Sequence, residues 1–91
     1  MNKGELVDAV AEKANVTKKQ AEAIVTATVD VIQGAVAEGD KVTLVGFGTF
    51  ERRTRKAREG RNPKTGDKMQ IPAATVPAFS PGKVFKEKVS V

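Results

Sequence analysis

Between Arg52 and Lys68 the sequence RRTRKAREGRNPKTGDK sets eight cationic side chains against two acids, Glu59 and Asp67. The cations are Arg52, Arg53, Arg55, Lys56, Arg58, Arg61, Lys64 and Lys68. These seventeen residues carry a net +6 while the whole 91-residue chain carries only +5, so the positive charge is local. Guanidinium and ammonium groups at this density hold anions through charge-assisted hydrogen bonds and a concentrated field. The chemistry they offer is capture of a polyanion, with nucleic acid the first candidate. Bond-breaking chemistry is poorly provided for. The chain has no His and no Cys, which removes the commonest general base, the commonest metal ligand and any disulfide or thiolate site. Ser80 and Ser90 are the remaining unusual nucleophile candidates, read respectively as a helix cap and a frayed end. Glu59 and Asp67 are expected to face each other near a hairpin tip, where two acids among eight cations tune the hairpin instead of holding a metal. The reading is of a protein that is not an enzyme, with no cofactor, no metal and no small-molecule substrate.

The local pattern gives these cations a scaffold. Gly60-Arg61-Asn62-Pro63-Lys64-Thr65-Gly66 is dense in turn formers. It is preceded by the alternating Phe47-Gly48-Thr49-Phe50 and followed by the alternating Met69-Gln70-Ile71. Two strands joined at Gly60–Gly66 are therefore expected, making a long β-hairpin. Arg53 and Arg55 should point to one face, and Arg52, Lys56 and Arg58 to the other. A ribbon charged on both faces has nothing to bury and is marginal alone in water. It is expected to project as an arm, mobile until it lies on a partner. Pro63 at the tip is either ordinary turn chemistry or an apolar wedge for a stacked base step, as Pro serves in minor-groove binders. Met69 and Ile71 share a face, available for cross-strand packing or for contact with a groove wall.

The remaining elements must carry that arm. Asn2 with Glu5 has N-cap spacing, and Leu6, Val7, Val10, Ala11 and Ala14 follow at helical period to a stop near Asn15. Thr17 with Gln20 forms a capping box for a second helix that ends near Glu38 at Gly39. Its apolar stripe of Ala21, Ile24, Val25, Thr28, Val31, Ile32, Ala35 and Val36 is too broad for one short partner helix. Removing the arm leaves 74 residues for a core, and oligomerisation is a standard remedy at that size. A dimer is expected on these grounds. The helix pair also fits a helix-turn-helix, but the exposed face of its second helix (Lys18, Lys19, Glu22, Thr26, Asp30 and Gln33) is nearly neutral, so the hairpin is read as structural. Lys41–Val45 reads as a strand, and Gly46-Phe47-Gly48 as a tight connection. The return strand is expected from Lys68 to Phe79, with Pro72 and Pro77 at bends. Ser80 as cap and Pro81 at the first helical position open a last helix with Val84, Phe85 and Val89 inward and Lys83, Lys86 and Lys88 outward. Phe47, Phe50 and Phe79 are expected in the core. No apolar run approaches a membrane span and no signal-peptide core is present, so an intracellular, soluble protein is expected.

Taken together, Gly46-Phe47-Gly48-Thr49-Phe50, Arg55, Arg58 and Gly60-Arg61-Asn62-Pro63-Lys64-Thr65-Gly66 resemble the signature of the bacterial histone-like HU proteins, a family that includes integration host factor. The resemblance spans the chain from Met1-Asn2-Lys3 through Ser80-Pro81-Gly82-Lys83. It implies an α+β fold: an intertwined dimer with an N-terminal αα-hairpin base, a three-stranded antiparallel sheet extended into a long β-ribbon arm, and a short C-terminal helix. In one domain, 1–39 would be the helical dimerisation base, 41–79 the sheet with its arm at about 52–75, and 81–90 the C-terminal helix. It further implies that Arg53, Arg55, Arg58, Arg61 and Lys64 meet phosphates or minor-groove edges, with Asn62 beside them in the groove. Pro63 would intercalate, while Lys83 and Lys86, with Lys3 nearby, hold flanking duplex. HU is itself among the architectural proteins on which the minor-groove wedge generalisation rests. The implied function is largely sequence-independent binding, bending and compaction of double-stranded DNA by a cytoplasmic, nucleoid-associated homodimer. Bent, gapped or flexible DNA would be preferred because it gives up less bending energy. Two rivals remain beside it: a sequence-preferring host-factor-like protein, and a basic RNA-binding or ribosome-associated module.

Overall fold

The computed structural model describes residues 1–90 as α1 (Lys3–Ala14), α2 (Lys18–Ala37), β1 (Val42–Leu44), β2 (Gly48–Arg55), β3 (Arg58–Arg61), β4 (Lys68–Ile71), β5 (Ala74–Pro81) and α3 (Lys83–Val89). The chain divides into two compact units, Met1–Gly34 and the residues from 35 onward.

In the first unit the helix boundaries follow the cap chemistry. The Asn2 side chain accepts from the Glu5 backbone N–H at 2.9 Å, and α1 ends where Asn15 turns left-handed at φ 56°. The capping box of α2 is reciprocal: the Thr17 N–H donates to Gln20 Oε1 and the Gln20 N–H donates to Thr17 Oγ1. Each bond satisfies a donor that a helix start would otherwise leave unpaired. The core is small, with Val7, Ala11 and Ala21 buried and Val10, Val16 and Val25 packed around them. Leu6, Ile24, Val29 and Val31 stay 43–69% exposed. Lys18 and Asp8 pair across the helices at 3.3 Å.

In the second unit, β1, β2 and β5 form an antiparallel sheet in the order β1-β2-β5, and β3 pairs with β4 as a separate two-stranded ribbon. The β1–β2 turn closes when the Phe47 N–H donates to the Leu44 carbonyl at 2.9 Å, with Gly46 at φ 84°. Phe50 lies opposite Phe79 in the sheet. Phe47 stacks on Phe85 of α3 at 5.3 Å, and Phe50 meets Phe79 at 4.8 Å. These rings form one cluster, but Phe47 and Phe79, expected in the core, remain 42% and 36% exposed in the single chain. Gly48 makes the cluster possible. A Cβ on it would stand 2.6 Å from both the Phe79 ring and the Ser80 carbonyl.

Two boundary expectations and one pairing expectation are corrected. First, β5 runs on to Pro81, and α3 starts at Lys83 with Gly82 as its N-cap and no side-chain cap. Ser80 does not cap. It pairs with Thr49 in the sheet, and its hydroxyl accepts from Arg53, so ladder pairing outweighs the local Ser-Pro signal. Second, Gly60 and Arg61 belong to β3, paired with Met69 and Lys68, and the turn is confined to the residues between. Third, Glu59 lies opposite Gln70, not Asp67.

Candidate nucleic-acid interface

The hairpin arm exists, but it is built in two segments. In the inner segment Arg55 pairs with Ala74, and in the outer one Arg58 pairs with Ile71. Two residues separate these pairs on each strand, so the register passes through without a bulge. The ladder lapses because Pro72, opposite Ala57 by count, has no N–H to donate.

Pairing fixes which side chains share a face, because directly opposed residues lie on the same side of a sheet. In the inner segment Glu51, Arg53, Arg55, Val76, Ala78 and Ser80 take one face, while Phe50, Arg52, Pro77 and Phe79 take the other. In the outer segment Arg58, Gly60, Met69 and Ile71 share a face, and Glu59, Arg61, Lys68 and Gln70 share its opposite. The ribbon is therefore not charged uniformly on both sides. Ile71, half-buried, and Met69 fold over Gly60, where a Cβ would meet Ile71 Cδ1 at 3.1 Å. Arg61 directly opposes Lys68, a like-charge pair that costs stability until an anion lies across it.

The tip is held by its own backbone. The Asn62 N–H donates to the Asp67 carbonyl and the Gly66 N–H donates to the Asn62 carbonyl, both at 2.8 Å. Asn62 Oδ1 accepts from the Lys64 N–H at 2.9 Å, Thr65 Oγ1 accepts from the Asp67 N–H, and Gly66 supplies φ 75°. Asn62 is thus the organiser of the turn, with its Oδ1 committed locally. Pro63 and Lys64 stand exposed at the apex.

At the arm's root two arginines are committed within the protein. Arg53 donates to Glu51 Oε1 at 3.2 Å and to Ser80 Oγ at 2.9 Å. Lys41 reaches the other Glu51 oxygen at 3.4 Å. The Arg53 hydrogen bond, helped by Lys41 and opposed by partial burial, holds the Glu51 carboxyl below its ordinary value. Arg52 donates to the Ala37 carbonyl at 3.0 Å. Sequence reasoning placed both in the cationic stretch and missed these engagements. The available signal for Arg52 was that the last turn of α2 contains no basic residue of its own.

The other candidate residues belong to the helices. Lys83 and Lys86 are exposed on α3, and Lys88 joins Lys86 in its last turn. Lys3 opens α1 in the first unit and borders an open cleft of about 460 Å³ lined by Leu6, Val25 and Val29 among others. Arg55, Arg58, Arg61 and Lys64 are exposed along the ribbon. Among the described residues, no helix is long and apolar enough to cross a membrane.

Comparison with known proteins agrees with this architecture. Residues 1–90 match the family model described as bacterial DNA-binding protein. DNA-binding protein HU of Nostoc sp. is 73% identical over 90 residues, covering 99% of this chain and 96% of the relative. HU of Geobacillus stearothermophilus is 56% identical over 89 residues, covering 98% and 99%. Among solved structures, an Anabaena HU–DNA cocrystal superposes with a TM-score of 0.89 at 73% identity, covering 99% of this chain and 98% of that one. Thermotoga maritima HU superposes at 0.70 with 38% identity, covering 99% and 100%. The helical start, the three-stranded sheet prolonged as a cationic ribbon, the short closing helix and these matches over nearly the full length agree: the chain belongs to the bacterial DNA-binding protein family of HU.

Proposed function

We propose that the chain is an architectural, largely sequence-independent DNA-binding protein that bends, wraps and compacts double-stranded DNA with its β-arms. The observation that carries this is the two-segment ribbon. It carries exposed Arg55, Arg58 and Arg61 along its outgoing side, distributed over both faces, and leads to a turn where Pro63 and Lys64 stand exposed. A ribbon of this width suits a groove, and its cations meet phosphates without reading sequence. Minor-groove edges distinguish little beyond A·T from G·C, so preference follows deformability. Pro63 acts as the wedge that opens a base step. Asn62 holds the turn that presents it. Arg53 joins the contacts by exchanging Glu51 and Ser80 for phosphate, so its net gain is smaller than that of its neighbours. Lys83 and Lys86, with Lys3, hold flanking duplex.

The working unit is a homodimer. Leu6, Ile24, Val29 and Val31 in the first unit, and Phe47, Phe79, Val84 and Val89 in the second, stand well exposed in the single chain. Covering half of each such side chain is worth on the order of 1 kcal/mol, and a second copy supplies the cover for all of them together. The protein acts on the chromosome, in the bacterial cytoplasm, without catalysing a reaction.

The test is a titration of end-labelled duplex by energy transfer, intact beside gapped, at two salt concentrations. Approach of the ends, tighter binding to the gapped duplex and weakening by salt are the expected results. Salt-sensitive binding with the ends apart reduces the arms to an electrostatic clamp. Equal affinity for duplex RNA or single strands favours an RNA-binding module.

A further inference from the structure

We infer that Arg52 is a positioning residue that fastens the root of the β-arm to the end of α2, and that it is not a DNA contact. The inference rests on the DNA-bending reading for its functional half and on the free protein alone for its structural half. Arg52 shares the Phe50 face of β2, opposite Pro77, while Arg53 and Arg55 take the other face. Its Nη1 donates to the Ala37 carbonyl at 3.0 Å. Its guanidinium plane lies over Gly39, where a Cβ would stand 3.1–3.4 Å from Nη2, Cζ and Nε. Gly39 is itself at φ 97°, the left-handed stop of the helix.

The end of α2 needs this help. Helix C-termini carry unpaired carbonyls and a partial negative charge, commonly met by a cation in the last turn. The last turn of α2 has no basic residue. Arg52 provides that cation from fifteen positions along the chain, and the planar fork fits the space above a glycine as no bulkier residue would permit. The contact also bears on the arm. β2 is one continuous strand from the aromatic cluster to Arg55, so anchoring it at Arg52 fixes the direction in which the ribbon leaves the sheet. An arm whose direction is fixed delivers its tip to one place on a duplex; a swivelling arm binds the same phosphates with a smaller and less uniform bend.

The experiment compares Arg52→Met and Arg52→Lys with the unaltered full chain. In the free protein, amide exchange is followed at Glu38, Gly39 and Asp40, whose N–H groups bond to the carbonyls of Ala35 and Val36 at the end of α2. Losing one charge-assisted bond at a helix end is expected to speed their exchange about fivefold in Arg52→Met. Arg52→Lys is expected to recover part of the protection. On end-labelled duplex, Arg52→Met is expected to keep the salt slope of binding while lowering energy transfer at saturation. A slope smaller by about 0.9 for each Arg52 removed, with transfer unchanged, would make Arg52 a phosphate contact and overturn the inference. Unchanged exchange at α2 would overturn its structural half. If Arg52→Met does not fold, Arg52→Lys decides on the same readouts, an unaltered exchange and bend in it counting against the need for a planar fork. Failure of the unaltered protein to bend DNA at all, with exchange responding as expected, would remove the DNA reading and leave the tie standing.

Discussion

Replacing Arg55 and Arg58 together by Ala tests the ribbon's role most directly. Both side chains are exposed, and neither is engaged by an acid among the described residues. Arg55 ends the inner segment and Arg58 begins the outer one, so their loss spans the interruption and removes none of the side-chain bonds described in the sheet or the turn. Each phosphate neutralised contributes about 0.9 to the slope of log affinity against log salt. Two cations removed lower the slope by about 1.8 per arm, and by about 3.6 where two arms bind one duplex. Between about 50 and 200 mM salt, the unaltered protein should therefore lose roughly 150-fold more affinity than the double variant. The assay is a salt series of equilibrium titrations on several duplexes of different sequence, with unfolding curves confirming an intact fold. Losses should be similar on every sequence. A slope that does not fall, or losses confined to particular sequences, would refute phosphate positioning by these arginines.

Pro63→Ala should keep the fold and lose bend more than affinity, because the tip's bonds run through Asn62, Thr65, Gly66 and Asp67; an unchanged bend at saturation by energy transfer rejects the wedge. Gly48→Ala should destabilise by about 1–3 kcal/mol, since its Cβ would overlap the Phe79 ring and the Ser80 carbonyl. Gly34→Ala, where nothing lies within 4 Å of the new atom, should stabilise α2 by up to about 1 kcal/mol; denaturant unfolding at one fixed protein concentration separates the two signs. Glu51→Gln tests the charge cluster at the arm's root. With its folded pKa depressed, Glu51 contributes stability that is fully present above the ordinary carboxylate range and is lost as pH falls through the folded value. The variant should be less stable than the unaltered chain at neutral pH, and the gap should close as acid is added; a gap constant with pH would show that the ion pairs do not produce it.

Local signals carried most of the architecture. Caps and turns are decided by residues three or four apart, so Asn2 with Glu5, Thr17 with Gln20, and the left-handed Asn15 and Gly39 all lie where short-range chemistry sets them. The arm was legible for the same reason, as alternating strands flanking a turn. What escaped depends on residues far apart in sequence. Ser80 carries a convincing helix-start pattern, yet its pairing with Thr49 and its bond to Arg53 come from strand β2 some thirty positions earlier. Arg52 looked like one more cation because charge counting cannot tell a side chain facing solvent from one folded back on a helix end. The interruption of the ribbon was visible as Pro72 but became meaningful only with the register that sets Ala57 against it.

That interruption divides the arm into a stretch tied to the sheet and a stretch held by four pairs and a turn. The outer part has little apolar cover and is rich in Lys and Arg, so it is the place where a trypsin-like protease finds an open strand. A cut there would leave β1, β2 and β5 paired and the aromatic cluster whole. Occupied arms would be shielded and idle ones clipped. The lifetime of the intact chain would then report how much of it is seated on DNA.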